Sequence, residues 1–114
     1  MIPLPKKKEP EEVAPEIPLP NPSEGIIVCG VIRHLGADYL LVKCIDGRDR
    51  KARIPGKIRR KMWIIEGDIV LVGLWGPDSD KCDVIHKYSK SEVNKLVEQG
   101  IIPKEFVDAI SGLV

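Results

Sequence analysis

Fourteen consecutive residues, Arg48–Lys61, read RDRKARIPGKIRRK and hold eight of the chain's 18 Lys and Arg residues. The bases are Arg48, Arg50, Lys51, Arg53, Lys57, Arg59, Arg60 and Lys61, opposed only by Asp49, for a local net charge of +7. Like charge at this density repels itself unless solvent or a polyanion screens it. Solvated faces usually mix their signs. Here one sign dominates and Ile54 and Ile58 interleave it, which favours a nucleic-acid surface. Arg33 and Lys43 lie just upstream and extend the candidate set. Trp63 follows the run and is placed to stack on a base, with packing in the core as the competing reading.

The rest of the chain offers little other chemistry. Across 114 residues, 18 Lys+Arg meet 17 Asp+Glu, so the total charge hides the asymmetry. There is no Gly-rich phosphate loop, no carboxylate pair in an apolar setting and no Ser-His-Asp set at a nucleophile turn. His34, beside Arg33, reads as a neighbour of a phosphate or base, and His86 as a packed histidine with one hydrogen bond. Asp78, Asp80 and Asp83 lack the glycine and closing glutamate of a calcium loop. Cys29, Cys44 and Cys82 contain no C-x-x-C pair and read as three reduced, partly buried thiols of a cytosolic protein. No enzyme, cofactor or metal is expected.

Of the few aromatics, only Tyr39 is expected to point outward from the first three strands. Affinity should then come from phosphate contacts and shape, which suits structured RNA better than an arbitrary single strand.

The elements that position the basic run are short. Ile26–Arg33 and Tyr39–Ile45 read as strands joined by a loop at Leu35–Asp38. Leu40, Val42 and Cys44 alternate with Tyr39, Leu41 and Lys43, so the former should face inward. Asp46-Gly47 predicts a tight hairpin with both residues at positive φ. In the third strand, Arg48–Ile54, Arg50, Ala52 and Ile54 share the inner face, which makes its burial the weakest. Lys57–Met62 should give one or two helical turns, Ile69–Trp75 a buried strand, and Lys81–Tyr88 a fifth strand with Cys82, Val84 and His86 on one face. Ser89 and Glu92 form a capping box, Val93, Leu96 and Val97 an apolar stripe, and Gly100 a helix stop. Pro103–Ile110 reads as another short helix.

Prolines at 3, 5, 10, 15, 18, 20 and 22 exclude regular structure at the N-terminus. The expected organisation is a flexible proline-rich tail at 1–22, a barrel at 23–88 and a helical segment at 89–114. The fold expected is all-β, a five-stranded Greek-key OB-fold barrel, with a five-stranded SH3-like barrel as runner-up. A closed barrel leaves few free edges, so a monomer is expected. The longest apolar stretch, Ile26–Ile32, is broken by Gly30 and falls short of the ~18 residues a membrane span needs. Nor does the N-terminus carry an apolar core behind a basic start, so no secretory signal is expected.

Ile54-Pro-Gly-Lys-Ile-Arg-Arg-Lys-Met-Trp63-Ile resembles the archaeal and eukaryotic translation initiation factor 1A family, which carries I-x-G-K-[LI], basic residues and x-W-[IV] there. Cys44-Ile-Asp46-Gly47, Asp68–Gly73 and Lys81–Tyr88 continue the match, which extends through the helix to about Pro103 and covers some 80 residues. The resemblance implies an S1-like OB-fold barrel in the A site of the small ribosomal subunit, on the decoding-region rRNA. It also implies help in loading initiator tRNA and mRNA, support for start-codon selection, and contact with the subunit-joining GTPase, factor 5B. Its RNA-contact roles fall on Lys57, Arg59, Arg60, Lys61 and Trp63, and less directly on Arg50 and Arg53. The chain departs from eukaryotic members in its proline-rich, slightly acidic N-terminus and in stopping at Val114 without a long acidic extension. Phe106–Val114 could contact factor 5B or pack on the barrel. A general single-strand RNA-binding or chaperone module is the alternative function, and an adaptor working through the proline-rich tail a third.

Overall fold

Alternating burial in Tyr39–Cys44 shows how the barrel forms: Leu40, Val42 and Cys44 are buried while Tyr39, Leu41 and Lys43 are not. The structure is a computed structural model that describes residues 17–61 and 63–114, with side chains described for all of these except 59–61. Its strands are β1 (Ile26–Gly36), β2 (Tyr39–Cys44), β3 (Asp49–Arg53), β4 (Ile69–Leu74) and β5 (Lys81–Lys87). Helix α1 (Gly56–Lys61) lies between β3 and β4, and α2 (Lys90–Glu98) and α3 (Lys104–Leu113) follow β5. The strands close in the order β1-β2-β3-β5-β4. All pairs are antiparallel except β3 with β5, where Lys51, Ala52 and Arg53 face Lys81, Cys82 and Asp83.

The barrel interior is filled by Val31, Leu40, Val42, Ala52, Val70, Val72 and Val84, with Ile58 of α1 and Ile64 packed into the same cluster. A second cluster lies outside the barrel wall, where Val28, Ile69 and Leu71 pack against Val93, Leu96, Ile102 and Ile110. Gly30 permits this: a Cβ there would lie 2.4 Å from Ile110 Cγ1. Phe106 and Val107 also pack here, whereas Leu113 and Val114 stay exposed. The capping box at Ser89 and Glu92 forms as expected, and Gly100 takes a left-handed φ of 76°.

Several expectations change. The β1–β2 connection is a two-residue turn, because Ala37 (φ 49°) and Asp38 (φ 68°) both adopt left-handed backbone and β1 runs on to Gly36. In the β2–β3 turn only Gly47 has positive φ. Asp46 instead turns its carboxylate to the Arg48 amide and the Arg50 guanidinium. His86 does not share the inner face with Cys82 and Val84. Its partner is Leu71 while Val84 pairs with Val72, so Ile85 is an extra residue that reverses the alternation. The His86 ring lies edge-on to Tyr88, and its Nε2 donates to Glu92 Oε1 at 3.2 Å.

The cysteine expectation is also corrected. Cys29 and Cys44 are register partners across β1 and β2 and form a disulfide, leaving Cys82 as the free thiol. The two lie fifteen residues apart, so only the strand register reveals the pairing.

The tail expected at 1–22 lies outside the described residues up to 16. Its last residues are held: Ile17 packs in the second cluster, Tyr88 Oη donates to the Pro18 carbonyl, and Asn21 bridges to Ile26. Burial pushes the Tyr88 hydroxyl up to about 12.

Candidate nucleic-acid interface

One end of the barrel is closed by α1, whose Ile58 side chain is buried and acts as its anchor. Lys57 beside it is exposed, and Arg59, Arg60 and Lys61 complete the helix. Past Met62, the chain re-enters the core at Ile64. Trp63 between them is 82% exposed, which excludes the core reading of this indole.

The backbone beneath that ring is fixed from two sides. Lys87 Nζ of β5 donates to the Trp63 carbonyl at 2.6 Å, and His34 Nε2 of β1 donates to the Ile64 carbonyl at 2.9 Å. Asp68 supports the arrangement by accepting from the Ile65 amide at 2.8 Å and lying 3.4 Å from Lys87 Nζ. A large aromatic surface is therefore presented to solvent on an anchored backbone. His34 accordingly acts first as a brace, a role its place beside Arg33 does not reveal.

Between this segment and the β1–β2 turn lies a cleft of about 590 Å³ lined by His34, Tyr39, Ile54, Trp63 and Ile64. Arg33 is exposed on β1, and among the described residues neither Arg33 nor Lys57 has a carboxylate partner. Cation and ring thus remain available at this end.

Of the four bases of the run that precede α1, Arg48, Arg50 and Arg53 are partnered by acids, Arg48 and Arg53 by ones distant in sequence. Arg48 Nη2 meets Asp80 Oδ1 at 2.6 Å and the Asp78 carbonyl at 3.1 Å. Arg53 pairs with Asp83 through Nε at 3.0 Å, and Lys43 with Asp49 at 3.0 Å. Asp78, Asp80 and Asp83, which read as a failed metal loop, serve as arginine partners. Among the described residues no group of three or more His, Cys, Asp or Glu is arranged to hold a metal ion.

Arg50 requires a correction. The sequence reading puts it on the RNA surface, but it is 3% exposed, bidentate on Asp46, and donates from Nε to the Ser79 carbonyl at 2.9 Å. The hydrogen bond with Asp46 is the chief reason its guanidinium pKa is raised. Its donors are spent inside the molecule, so it organises turns. Lys51 lies over the Tyr39 ring at 4.7 Å, and Lys81 over Trp75 at 5.5 Å. Sequence reasoning missed Lys81, Trp75 and Lys87, whose roles depend on cross-strand neighbours.

A closed five-stranded barrel in this strand order, with a helix between β3 and β4, is an OB-fold, a class that uses its strands and loops to bind oligonucleotides. The family described as Translation initiation factor 1A / IF-1 matches residues 15–111, and the chain belongs to it. It is 65% identical over 108 residues to Translation initiation factor 1A of Desulfurococcus amylolyticus, covering 95% of this chain and 93% of that protein. To the factor of the same name from Saccharolobus solfataricus it is 48% identical over 109 residues, covering 96% and 100%. The solution structure of a translation initiation factor of the IF-1 type, from the Wolbachia endosymbiont of Brugia malayi, is 26% identical, covers 62% of this chain and 85% of that one, and has a TM-score of 0.46. The function is that of a translation initiation factor, and family membership implies association with the small ribosomal subunit. No described helix is long and apolar enough to cross a membrane.

Proposed function

We propose that the chain binds as a monomer in the A site of the small ribosomal subunit, in the cytoplasm, with the α1 end against the decoding-region rRNA. The observation that carries this reading is the exposed Trp63 ring on its braced backbone, near Arg33 and Lys57, which have no carboxylate partner among the described residues. Lys57, Arg59, Arg60 and Lys61 neutralise rRNA phosphates, Arg33 adds charge from β1, and Trp63 with Tyr39 offers the cleft to an unstacked base. Arg48, Arg53 and Lys43 reach RNA only by exchanging carboxylate partners, so their contribution is smaller. Filling the site promotes initiator tRNA and mRNA binding and start-codon selection without catalysis. Factor 5B is the protein partner, with exposed Leu113 and Val114 as its contact.

Titration against purified small subunits at two salt concentrations tests this. Binding should weaken by about one unit of log–log slope per phosphate neutralised. Reversing Arg59 and Arg60 to Glu should abolish association while thermal melting stays near that of the parent. Salt-insensitive binding, or full binding by the folded double variant, would overturn the reading.

A further inference from the structure

At the end of the barrel opposite α1, where β1 and β3 begin and β2 and β4 end, lies a cavity of about 580 Å³. Barrel mouths are a usual place for binding pockets. Ile27, Ile45 and Leu74 form the apolar floor of this one, and Pro22 and Pro77 stand at its sides. Its walls are fixed before anything enters. The Asn21–Ile26 bridge holds the 3-10 turn at Pro22–Glu24, and the Leu74 amide donates to the Gly25 carbonyl at 2.8 Å. Arg50 Nε ties down the Ser79 carbonyl of the β4–β5 loop at 2.9 Å. The charge of this mouth is the reverse of that at the α1 end. Glu24, Asp46 and Asp78 line it, against Arg50 as the one base among its lining residues. Arg50 and Asp46 neutralise each other, which leaves two carboxylates. Glu24 has no ion-pair partner among the described residues. Asp78, with its side chain 95% exposed, comes only within 3.8 Å of Arg48. Such a mouth repels a phosphate backbone and suits an apolar segment that carries lysines.

We propose that this mouth is the docking site of the chain's own segment Ile2–Lys8, Ile-Pro-Leu-Pro-Lys-Lys-Lys. Lys6, Lys7 and Lys8 are the only bases before Arg33, and the cationic α1 end repels them. In the mouth, the lysines meet Glu24 and Asp78, while Ile2 and Leu4 cover Ile27 and Leu74. Prolines at 3 and 5 restrict Ile2 and Leu4 to extended backbone, so less entropy is lost on docking. The chain is long enough. Ile17 and Pro22 on the rim are five residues apart and lie within about 18 Å of each other, whereas the nine residues from Lys8 to Ile17 span up to ~30 Å. A tether of this length supplies a roughly millimolar effective concentration, so contacts too weak to hold a free peptide suffice. A separate protein of the same chemistry lacks that advantage. Docking here is independent of the A-site reading and is tested without ribosomes.

The experiment is paramagnetic relaxation enhancement in the full chain, with methyl-labelled Ile and Leu and a nitroxide attached at Glu9→Cys. The native cysteines do not take the label, because Cys82 is buried and the other two are bonded. Enhancement should be strongest at Ile27, Ile45 and Leu74, and several-fold weaker at Ile54 and Ile58 near α1. Lys6→Glu/Lys7→Glu/Lys8→Glu should erase the signal at the mouth, and so should Glu24→Gln/Asp78→Asn. In about 1 M salt, which screens charges beyond ~3 Å, the signal should weaken. Glu24 and Asp78 are exposed, and melting curves of each variant check that it is folded. Enhancement centred on the α1 end, or spread evenly over the barrel, would overturn the docking. So would a mouth signal unchanged by the charge substitutions in folded variants. Mixing methyl-labelled chain with unlabelled chain that carries the nitroxide separates the occupants: equal enhancement in the mixture would make the occupant a second copy and overturn docking within one chain.

Discussion

The Arg50 guanidinium and the Asp46 carboxylate meet in a bidentate pair across the β2–β3 turn, Nη1 to Oδ1 at 3.0 Å and Nη2 to Oδ2 at 2.9 Å. Asp46 also accepts from the Arg48 amide at 3.1 Å, and Arg50 reaches the Ser79 carbonyl. One buried guanidinium therefore ties the β2–β3 turn to the β4–β5 loop.

Replacing Asp46 with Ala leaves that guanidinium buried without its counter-charge. We expect a loss of roughly 2 kcal/mol in urea unfolding, below the ~3–5 kcal/mol of a fully buried pair, because the Asp46 side chain is 43% exposed. The same pair gives a pH signature. The Arg50 hydrogen bond is the main reason the Asp46 carboxyl lies below the usual aspartate value. A depressed folded pKa contributes stability that is present above the unfolded value, near pH 4, and lost as pH falls through the folded one. Melting temperature should therefore drop between pH 5 and pH 2.5 by more in the parent than in Asp46→Asn.

Gly30→Ala should destabilise the chain by about 1–3 kcal/mol, the range for an overpacked core. Its Cβ would fall 2.4–2.7 Å from three Ile110 side-chain atoms, so α3 must lift from β1. Shortening the opposing side chain makes room, and Gly30→Ala/Ile110→Ala should be less destabilised than the sum of the single changes. Additive losses in this cycle would contradict the contact.

Thiol counting checks the cysteine assignment. The folded chain should show no thiol reactive toward iodoacetamide, because burial pushes Cys82 up to about 12 and the other two are bonded. Denatured without reductant it should show one, and with reductant three. Cys44→Ser should lower stability by about 3 kcal/mol, the value for a cross-link closing a loop of ~15 residues. Three thiols in the unreduced denatured chain would remove the disulfide.

Features carried by local pattern were legible in the sequence, whereas those set by register were not. The alternation of Leu40, Val42 and Cys44, the Ser89–Glu92 box and the α1 turn each need only neighbours a few residues away. The extra residue at Ile85 moves His86 to the other face, and nothing in the strand's composition marks it. The inward place of Arg50 followed from alternation, but its partner did not, so the basic run looked more uniformly cationic than it is. Trp63 was recognisable as a candidate from its position, yet its brace comes from residues on β1 and β5. Tyr39, Lys51 and Lys81 belong to three strands and, with Trp75 just past β4, meet only once the barrel closes.

The brace under Trp63 makes a prediction separable from charge. Lys87 holds the Trp63 carbonyl at 2.6 Å and faces Asp68 at 3.4 Å, so Lys87→Met keeps the apolar stem and removes both contacts. Lys87 is an indirect contributor here, positioning a ring rather than meeting RNA. Small-subunit affinity should fall about five- to tenfold, an effect on the order of 1 kcal/mol, the scale of a single hydrogen bond. A direct phosphate contact would also make the salt slope shallower; loss of a brace should leave it unchanged. Trp63→Ala should weaken binding further by removing a stacking surface of about 1–3 kcal/mol per base. Once the indole is gone, fixing its backbone brings little, so adding Lys87→Met to Trp63→Ala should cost almost nothing more. A fully additive double variant would mean that Lys87 acts on the RNA by itself.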